Sequence, residues 1–128
     1  MIRRLIIASA ILCAGTGASL AQDAAAGEKV FAQCKICHQI GATAKNSVGP
    51  ILNGVVGRPA GSVAGYAYSA ANKGSGLTWD EATLKEYLMD PKAKVPGTKM
   101  AFAGIKDQQK LNDLIAYLKQ FGVDGKKL

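Results

Sequence analysis

The stretch Cys34-Lys35-Ile36-Cys37-His38 decides how the rest of this chain is interpreted. Its spacing, C-x-x-C-H, is the signature of covalent haem attachment. On a helix, residues i and i+3 are neighbours on one face, so the two thiols can each add to one vinyl group of the same haem. The histidine that follows then projects over the macrocycle, where its imidazole can ligate the iron. The pentapeptide therefore predicts one covalently attached haem c per chain, with His38 as an iron ligand.

Other interpretations of the pentapeptide require features that the sequence lacks. A structural zinc site needs about four ligands, whereas the chain has one histidine and three cysteines, of which Cys13 lies in the N-terminal leader described below. A thioredoxin-like pair would lie in a βαβ setting, and the sequence shows no alternation of strands and helices. A disulfide between Cys34 and Cys37 suits an oxidising compartment but gives the adjacent His38 no role.

The single histidine also limits the second axial ligand of the iron. Bis-histidine ligation is excluded, which leaves a methionine, a lysine, a small molecule or an open position. Met89 ends an apolar helical stretch, where methionine commonly fills core space. Met100 closes the loop Pro96–Met100, whose proline stiffens the backbone and whose glycine loosens it. We therefore expect Met100 to be the second ligand, the alternative being an ordinary apolar anchor.

Residues 1–21 have the pattern of a cleaved secretory signal peptide. A pair of arginines precedes an apolar run over residues 5–14, and the small side chains of Ser19 and Ala21 suit cleavage after position 21. A membrane anchor is the alternative, but the apolar run is shorter than the roughly 20 residues that span a bilayer. We therefore expect export to the periplasm, with residues 22–128 forming one domain.

The composition is typical of a compact globular domain with a basic surface. Of the 128 residues, 48% are hydrophobic, and the formal net charge is +7. Because the charges are spread along the chain rather than gathered in a tail, a disordered binding segment is excluded.

The periodicity of the apolar residues predicts helices and no strands. The expected helices run over Asp23–Cys37, from Thr78–Glu81 (with capping-box spacing) to Pro91, and over Asp107–Phe121 before Gly122, with a shorter turn at Ser69–Lys73. Gly27 inside the first helix suggests that another helix crosses closely there. Between the first two helices, roughly 40 residues lack periodicity, which is unusual in a compact domain unless the segment wraps a group that supplies the missing core.

Beyond the haem motif, the chain resembles the class I c-type cytochromes, of the bacterial cytochrome c2 and mitochondrial type. The resemblance covers nearly all of residues 22–128. It is carried by Cys34–His38, Gly49-Pro50, Gly57-Arg58, Tyr66–Lys73, Gly76–Tyr87, Pro91-Lys92, Pro96–Lys106 and Asp113–Leu118. The most specific run is Pro-Gly-Thr-Lys-Met-Ala-Phe-Ala-Gly-Ile-Lys. The family implies an all-α cytochrome c fold, in which three to five helices and long loops wrap one covalent haem.

The same resemblance implies roles for individual residues around the haem. The carbonyl of Pro50 would accept a hydrogen bond from His38 and fix its orientation, and the hydroxyl of Tyr87 would donate to the sulfur of Met100. The buried haem propionate would be held by Arg58, Tyr68 and Trp79. An internal water would be surrounded by Asn72, Tyr87 and Thr98. The terminal helices would cross where Gly27 and Phe31 meet Leu114 and Tyr117.

The family also implies a function and a set of partners. We expect a one-electron carrier, not an enzyme, that takes electrons from a membrane quinol–cytochrome c reductase and delivers them to a photosynthetic reaction centre or a terminal oxidase. A basic face for acidic partners, thinner than in the mitochondrial proteins, would be formed by Lys35, Lys92, Lys94 and Lys99. An exported monomer is expected, without nucleic acid. The alternatives are a small haem peroxidase with an open sixth position and a docking or sensing subunit of a larger complex.

Overall fold

The computed structural model describes residues 22–128, so the predicted signal peptide lies outside the described residues. The helices in this range are α1 (Ala24–Phe31), α2 (Ala70–Lys73), α3 (Glu81–Met89), α4 (Pro91–Lys94) and α5 (Gln108–Lys119). Extended pairing within the same range is limited to two isolated bridges, Pro59 with Thr78 and Phe121 with Lys127. None of these helices is long and apolar enough to cross a membrane. The expected all-α class is confirmed.

Side-chain caps set where the helices begin. The carboxylates of Asp23, Asp80 and Asp107 accept backbone N–H groups three residues further on, and the hydroxyl of Ser69 caps α2 in the same way. The predicted capping box at residues 78–81 was therefore wrong in its register, because Asp80 accepts from the Thr83 N–H at 2.8 Å and starts α3 itself. Aspartate is among the best N-caps, since its oxygen satisfies an otherwise unpaired donor.

Two helix ends also differ from the prediction. α1 ends at Phe31 rather than near Cys37, and the chain continues in tight turns, with the Cys34 N–H donating to the Phe31 carbonyl at 2.8 Å. Pro91 ends α3, as expected, but it is also the first residue of α4, which Asp90 caps. Proline is well suited to that first position because no intrahelical partner exists there for its missing N–H.

The terminal helices cross at a glycine, as the sequence suggested. A Cβ on Gly27 would lie 1.9 Å from the carbonyl oxygen of Asp113 in α5. One turn further along α1, the ring of Phe31 packs on that of Tyr117, with the centroids 5.1 Å apart. The Asp113 side chain also accepts the Asp23 N–H at 3.0 Å. The two ends of the domain are thereby fixed together.

The segment between α1 and α2 is held by backbone bonds to both neighbouring parts of the chain. Gly57 donates to Trp79 at 2.7 Å, and Trp79 donates to Arg58 at 2.9 Å. Gly49 donates to Cys37 at 2.8 Å, so the segment returns to the haem motif. The long aperiodic stretch therefore forms one wall of a cavity, and the helices form the other.

Candidate haem site

One apolar cavity of about 610 Å³ lies between the helices and the long segment. All the residues predicted to attach, ligate or surround a haem line it: Cys34, Cys37, His38, Pro50, Arg58, Tyr68, Asn72, Trp79, Tyr87, Thr98 and Met100. Because these residues come from four separate parts of the chain, the fold brings together the groups that the sequence singled out individually.

The two cysteines enter this cavity from the turns that follow α1. Both thiols are free in the structure and half-buried. Burial, with a smaller contribution from Cys37, raises the pKa of Cys34 to about 11. Before any haem is attached, the polypeptide therefore keeps this thiol protonated at neutral pH.

His38 is held in a single orientation. Its Nδ1 lies 2.7 Å from the Pro50 carbonyl oxygen, as expected. Because a carbonyl oxygen can only accept, Nδ1 carries the proton and the lone pair of the neutral ring is on Nε2. Burial lowers the pKa of His38, against the opposing effect of the Pro50 hydrogen bond. The ring is therefore neutral, with Nε2 available as a metal ligand.

The Met100 side of the cavity is formed by a loop with its own internal bonds. The Thr98 N–H donates to Val95 at 3.0 Å, and the Phe102 N–H donates to the Met100 carbonyl at 3.0 Å. Lys99 donates to the Ala67 carbonyl, and its ammonium lies 4.5 Å from the centroid of the Tyr66 ring. These contacts fix the backbone on both sides of Met100, whose half-buried side chain lines the cavity.

The hydroxyl of Tyr87 has a different partner from the one predicted. It bonds to Thr98 Oγ1 at 3.0 Å, where the resemblance implied a bond to the Met100 sulfur. Thr98 Oγ1 also accepts the Met100 N–H at 3.3 Å. A hydroxyl oxygen is a better acceptor than a thioether sulfur. Tyr87 is therefore connected to Met100 indirectly: its hydroxyl bonds to Thr98 Oγ1, which in turn accepts the backbone N–H of Met100.

Two buried polar atoms in this part of the chain lack protein partners: the Nε of Arg58 and the Oδ1 of Asn72. The rest of the Arg58 guanidinium donates to the carbonyls of Ile51 and Asn53, each at 3.0 Å. Burial lowers the pKa of Arg58, yet a guanidinium stays charged in proteins. A half-buried cation with a buried, unpaired N–H beside an apolar cavity is suited to an acidic group of a cavity occupant.

The aromatic residues predicted near that acidic group lie beside Arg58. Tyr68 accepts the Val63 N–H through its hydroxyl at 3.0 Å. Trp79 is almost fully buried, and its ring lies 4.7 Å from that of Tyr87. Trp79 and Tyr87 are part of the buried core, and both also line the cavity wall.

The predicted basic face is uneven. Lys35 and Lys92 are exposed, while Lys94 is paired with Glu86. Lys99 lines the cavity, and its ammonium donates to the Ala67 carbonyl and lies over the Tyr66 ring. The local positive potential therefore depends mainly on Lys35, Lys92 and Lys99, which are all exposed and have no carboxylate partner among the described residues, since an adjacent carboxylate offsets the charge of Lys94.

Sequence reasoning missed several residues of the site. Ile36 and Val48 line the cavity while remaining 78% and 70% exposed, so they form an apolar rim at its mouth. Gly49 packs on the imidazole of His38, and a Cβ there would lie 2.4 Å from Cε1. The available signals were the position of Ile36 inside the haem motif and the pair Gly49-Pro50, whose proline supplies the carbonyl acceptor for His38.

The cavity as a whole fits a covalently attached haem. Two thiols, a neutral imidazole with a free Nε2, a thioether and a half-buried guanidinium surround an apolar space. The two thiols, three residues apart, can hold the macrocycle. The thioether sulfur of Met100 and the Nε2 of His38 are donors that suit iron, and the guanidinium of Arg58 suits a haem propionate. The donor set is therefore that of a haem c site.

Comparison with known proteins agrees with this chemistry. Residues 24–122 match the cytochrome c family. The chain is 58% identical over 125 residues to cytochrome c2 of Blastochloris viridis, covering 98% of each protein. It is 62% identical over 104 residues to cytochrome c-550 of Nitrobacter winogradskyi, covering 81% of this chain and 95% of that protein. The structure of cytochrome cH from Methylobacterium extorquens superposes with a TM-score of 0.72 at 63% identity, covering 76% and 97% of the two chains.

The match and the relatives point to one conclusion. The chain belongs to the cytochrome c family: it is a class I c-type cytochrome of the c2 type, an electron carrier rather than an enzyme, with covalently attached haem c.

Proposed function

We propose that the chain is a periplasmic one-electron shuttle with a closed His38/Met100 iron site. The observation that carries this proposal is that both side chains line the same cavity, with the His38 ring held by the Pro50 carbonyl and the Met100 backbone held by Thr98. Cys34 and Cys37 form the thioethers to the haem. The attached haem supplies an iron that gains and loses one electron.

In this proposal, the residues around the haem keep its surroundings constant while the charge changes. Pro50 holds the His38 ring, and Thr98 connects Tyr87 to the Met100 backbone. A thioether ligand favours the ferrous state and raises the reduction potential. With His38 and Met100 both used as ligands, no position is left for oxygen or a substrate, which disfavours a peroxidase.

Arg58 has a separate part in the proposal. Its guanidinium is half-buried and fixed by two carbonyls, with Nε left for a propionate. Asn72 has a buried Oδ1 of the same kind, and it lies with Tyr87 and Thr98 on the cavity wall, where the family has an internal water. Such fixed dipoles and charges need little rearrangement when one electron arrives or leaves.

The partners in this proposal are a membrane quinol–cytochrome c reductase as donor and a photosynthetic reaction centre or a terminal oxidase as acceptor. The apolar rim of Ile36 and Val48, flanked by Lys35, suits a brief contact with an acidic surface. Electron-transfer encounters use small interfaces of this kind. The predicted leader at residues 1–21 supports a periplasmic location, and the shuttle is expected to act as a monomer.

The test is oxidation and reduction by isolated partners. The purified holoprotein is mixed in a stopped-flow instrument with quinol–cytochrome c reductase, and then separately with reaction centres and with a terminal oxidase. Reduction by the first and oxidation by one of the others is expected, while added peroxide should not be turned over. A protein that turned over peroxide, or exchanged no electrons with these complexes, would contradict the proposal.

A further inference from the structure

The C-terminal residues 121–128, called here the C-terminal strap, fold back after α5. The predicted stop at Gly122 is not where the helix ends, since α5 ends at Lys119. Instead, the Gly122 N–H donates to the Lys126 carbonyl at 2.9 Å, and the Leu128 N–H donates to Gln120 at 2.7 Å. This tight fold buries Gly125 although its neighbours in sequence are exposed.

Gly125 packs on a pair of residues in the long segment between α1 and α2. A Cβ at position 125 would lie 2.1 Å from the Gly41 carbonyl oxygen and 2.6 Å from Asn53 Nδ2. Its φ of +79° is also one that residues with a Cβ rarely adopt. A second contact lies beside it, because a Cβ on Gly54 would be 2.9 Å from the Val123 side chain. The strap therefore touches the segment at two neighbouring points.

Asn53 closes the loop that contains Pro50. Asn53 is 7% exposed, and its side-chain amide pairs with both backbone groups of Gly41: Oδ1 accepts the N–H at 2.8 Å, and Nδ2 donates to the carbonyl at 3.0 Å. Arg58 donates to the Asn53 carbonyl from the other side. Gly41 and Asn53 thereby close the segment that turns back toward the haem motif, and Pro50 lies within it.

We propose that Asn53 and the C-terminal strap are positioning elements for His38, acting through the Pro50 carbonyl. This inference rests on the proposed function, in which His38 ligates the iron. A firm hydrogen bond from Nδ1 makes the imidazole a stronger donor to a metal, which favours the ferric state. Loosening the Gly41–Asn53 closure weakens that bond, so the reduction potential rises even though neither the strap nor Asn53 lines the haem cavity.

The test compares two glycines of the same backbone conformation. Gly76 has a φ of +69°, but a Cβ there would meet nothing within 4 Å. Gly76→Ala therefore adds the same kind of backbone strain without the contact on Gly41, and serves as the control for Gly125→Ala. Reduction potentials are measured on both holoproteins, together with hydrogen exchange of the His38 Nδ1 proton by NMR in the ferrous state.

We expect a higher potential and faster Nδ1 exchange in G125A, and wild-type values of both in G76A. A chain ending at Val123 removes the contact without adding a methyl group and should shift both readouts in the same direction. Unchanged potential and exchange in both strap variants would overturn the inference, even if their free energies of unfolding fell. If the wild-type His38 ring protons lacked the shifts of a haem ligand, the proposed ligation itself would fail.

Discussion

Gly27 in α1 lies against the backbone of Asp113 in α5, at a distance that leaves no room for a side chain. The two helices that meet there also supply Phe31 and Leu114 to the cavity wall. Helices pack at 8–10 Å between axes, depending on the side chains at the contact, and a glycine permits the closest approach. The glycine therefore determines how closely the terminal helices enclose the haem.

Gly27→Ala should lower the free energy of unfolding of the holoprotein by about 1–3 kcal/mol, the usual effect of overpacking a close contact. The gain in helix propensity from alanine, near 1 kcal/mol, opposes this only in part. Urea denaturation followed by circular dichroism measures the change. Lys29→Ala, at an exposed position of the same helix, should stay within about 0.5 kcal/mol of the wild type. An unchanged midpoint for G27A would mean that the crossing relaxes without loss.

The parts of the site that sequence alone could predict are those defined by short-range spacing. Cys34, Cys37 and His38 are neighbours within one turn, so their geometry follows from the backbone whatever the rest of the chain does. Because the chain has one histidine, bis-histidine ligation is excluded, and the Pro96–Met100 loop then favours Met100 among the remaining candidates for the second iron ligand. The Gly27 crossing could also be anticipated, because a glycine inside an amphipathic helix lowers its stability and is favoured where another backbone packs closely against it.

The parts that could not be predicted depend on which groups meet in three dimensions. The resemblance implied the Met100 sulfur as the partner of the Tyr87 hydroxyl, and only the folded structure shows that this hydroxyl bonds to Thr98. The packing of Gly125 on Gly41 joins residues more than eighty positions apart and leaves no periodic trace. Thr78 and Asp80 are both suitable N-caps within one turn, so the sequence could not decide between them; in the structure Asp80 is the N-cap of α3.

Replacement of Met100 by leucine should lower the reduction potential and open the iron to added ligands. Leucine is close to methionine in volume, so the main loss is the thioether donor that favours ferrous iron. The measurements are spectroelectrochemistry and titration of the ferric protein with imidazole or cyanide.

Met89→Leu is the matched control for that change. Met89 is half-buried, and its sulfur lies 3.7 Å from Gln108 Nε2, outside the residues that line the cavity. Its potential and ligand affinity should equal those of the wild type. If M89L rather than M100L bound cyanide, the assignment of the second ligand would be reversed.

Electron transfer with the reductase should slow as ionic strength rises, because the Debye length shrinks to about 10 Å at 0.1 M salt. Lys35→Gln should lower the rate constant at low salt more than Lys110→Gln does. Both lysines are exposed and both changes remove one positive charge, but Lys35 adjoins the apolar rim at Ile36, whereas Lys110 lies in α5 and does not line the cavity. Stopped-flow rates over a salt series give the comparison, and equal effects of the two variants would argue against docking at this rim.

The N-cap Asp80 should make the free energy of unfolding depend on pH in acid. The hydrogen bond from the Thr83 N–H to its carboxylate lowers the pKa of Asp80 from its ordinary value of 3.8 in the folded protein. A group whose pKa is lower in the folded state stabilises that state above the pKa of the unfolded chain, and this contribution is lost as the pH falls through the folded value.

Asp80→Asn keeps a capping oxygen that does not titrate, so the free energy of unfolding of this variant should match that of the wild type more closely in acid than at neutral pH. Asp80→Ala removes the cap and should be less stable than D80N at every pH. Denaturation curves from neutral pH to below pH 3.8 decide the question: a gap between wild type and D80N that stayed constant throughout would show that the cap does not depend on the charge of Asp80.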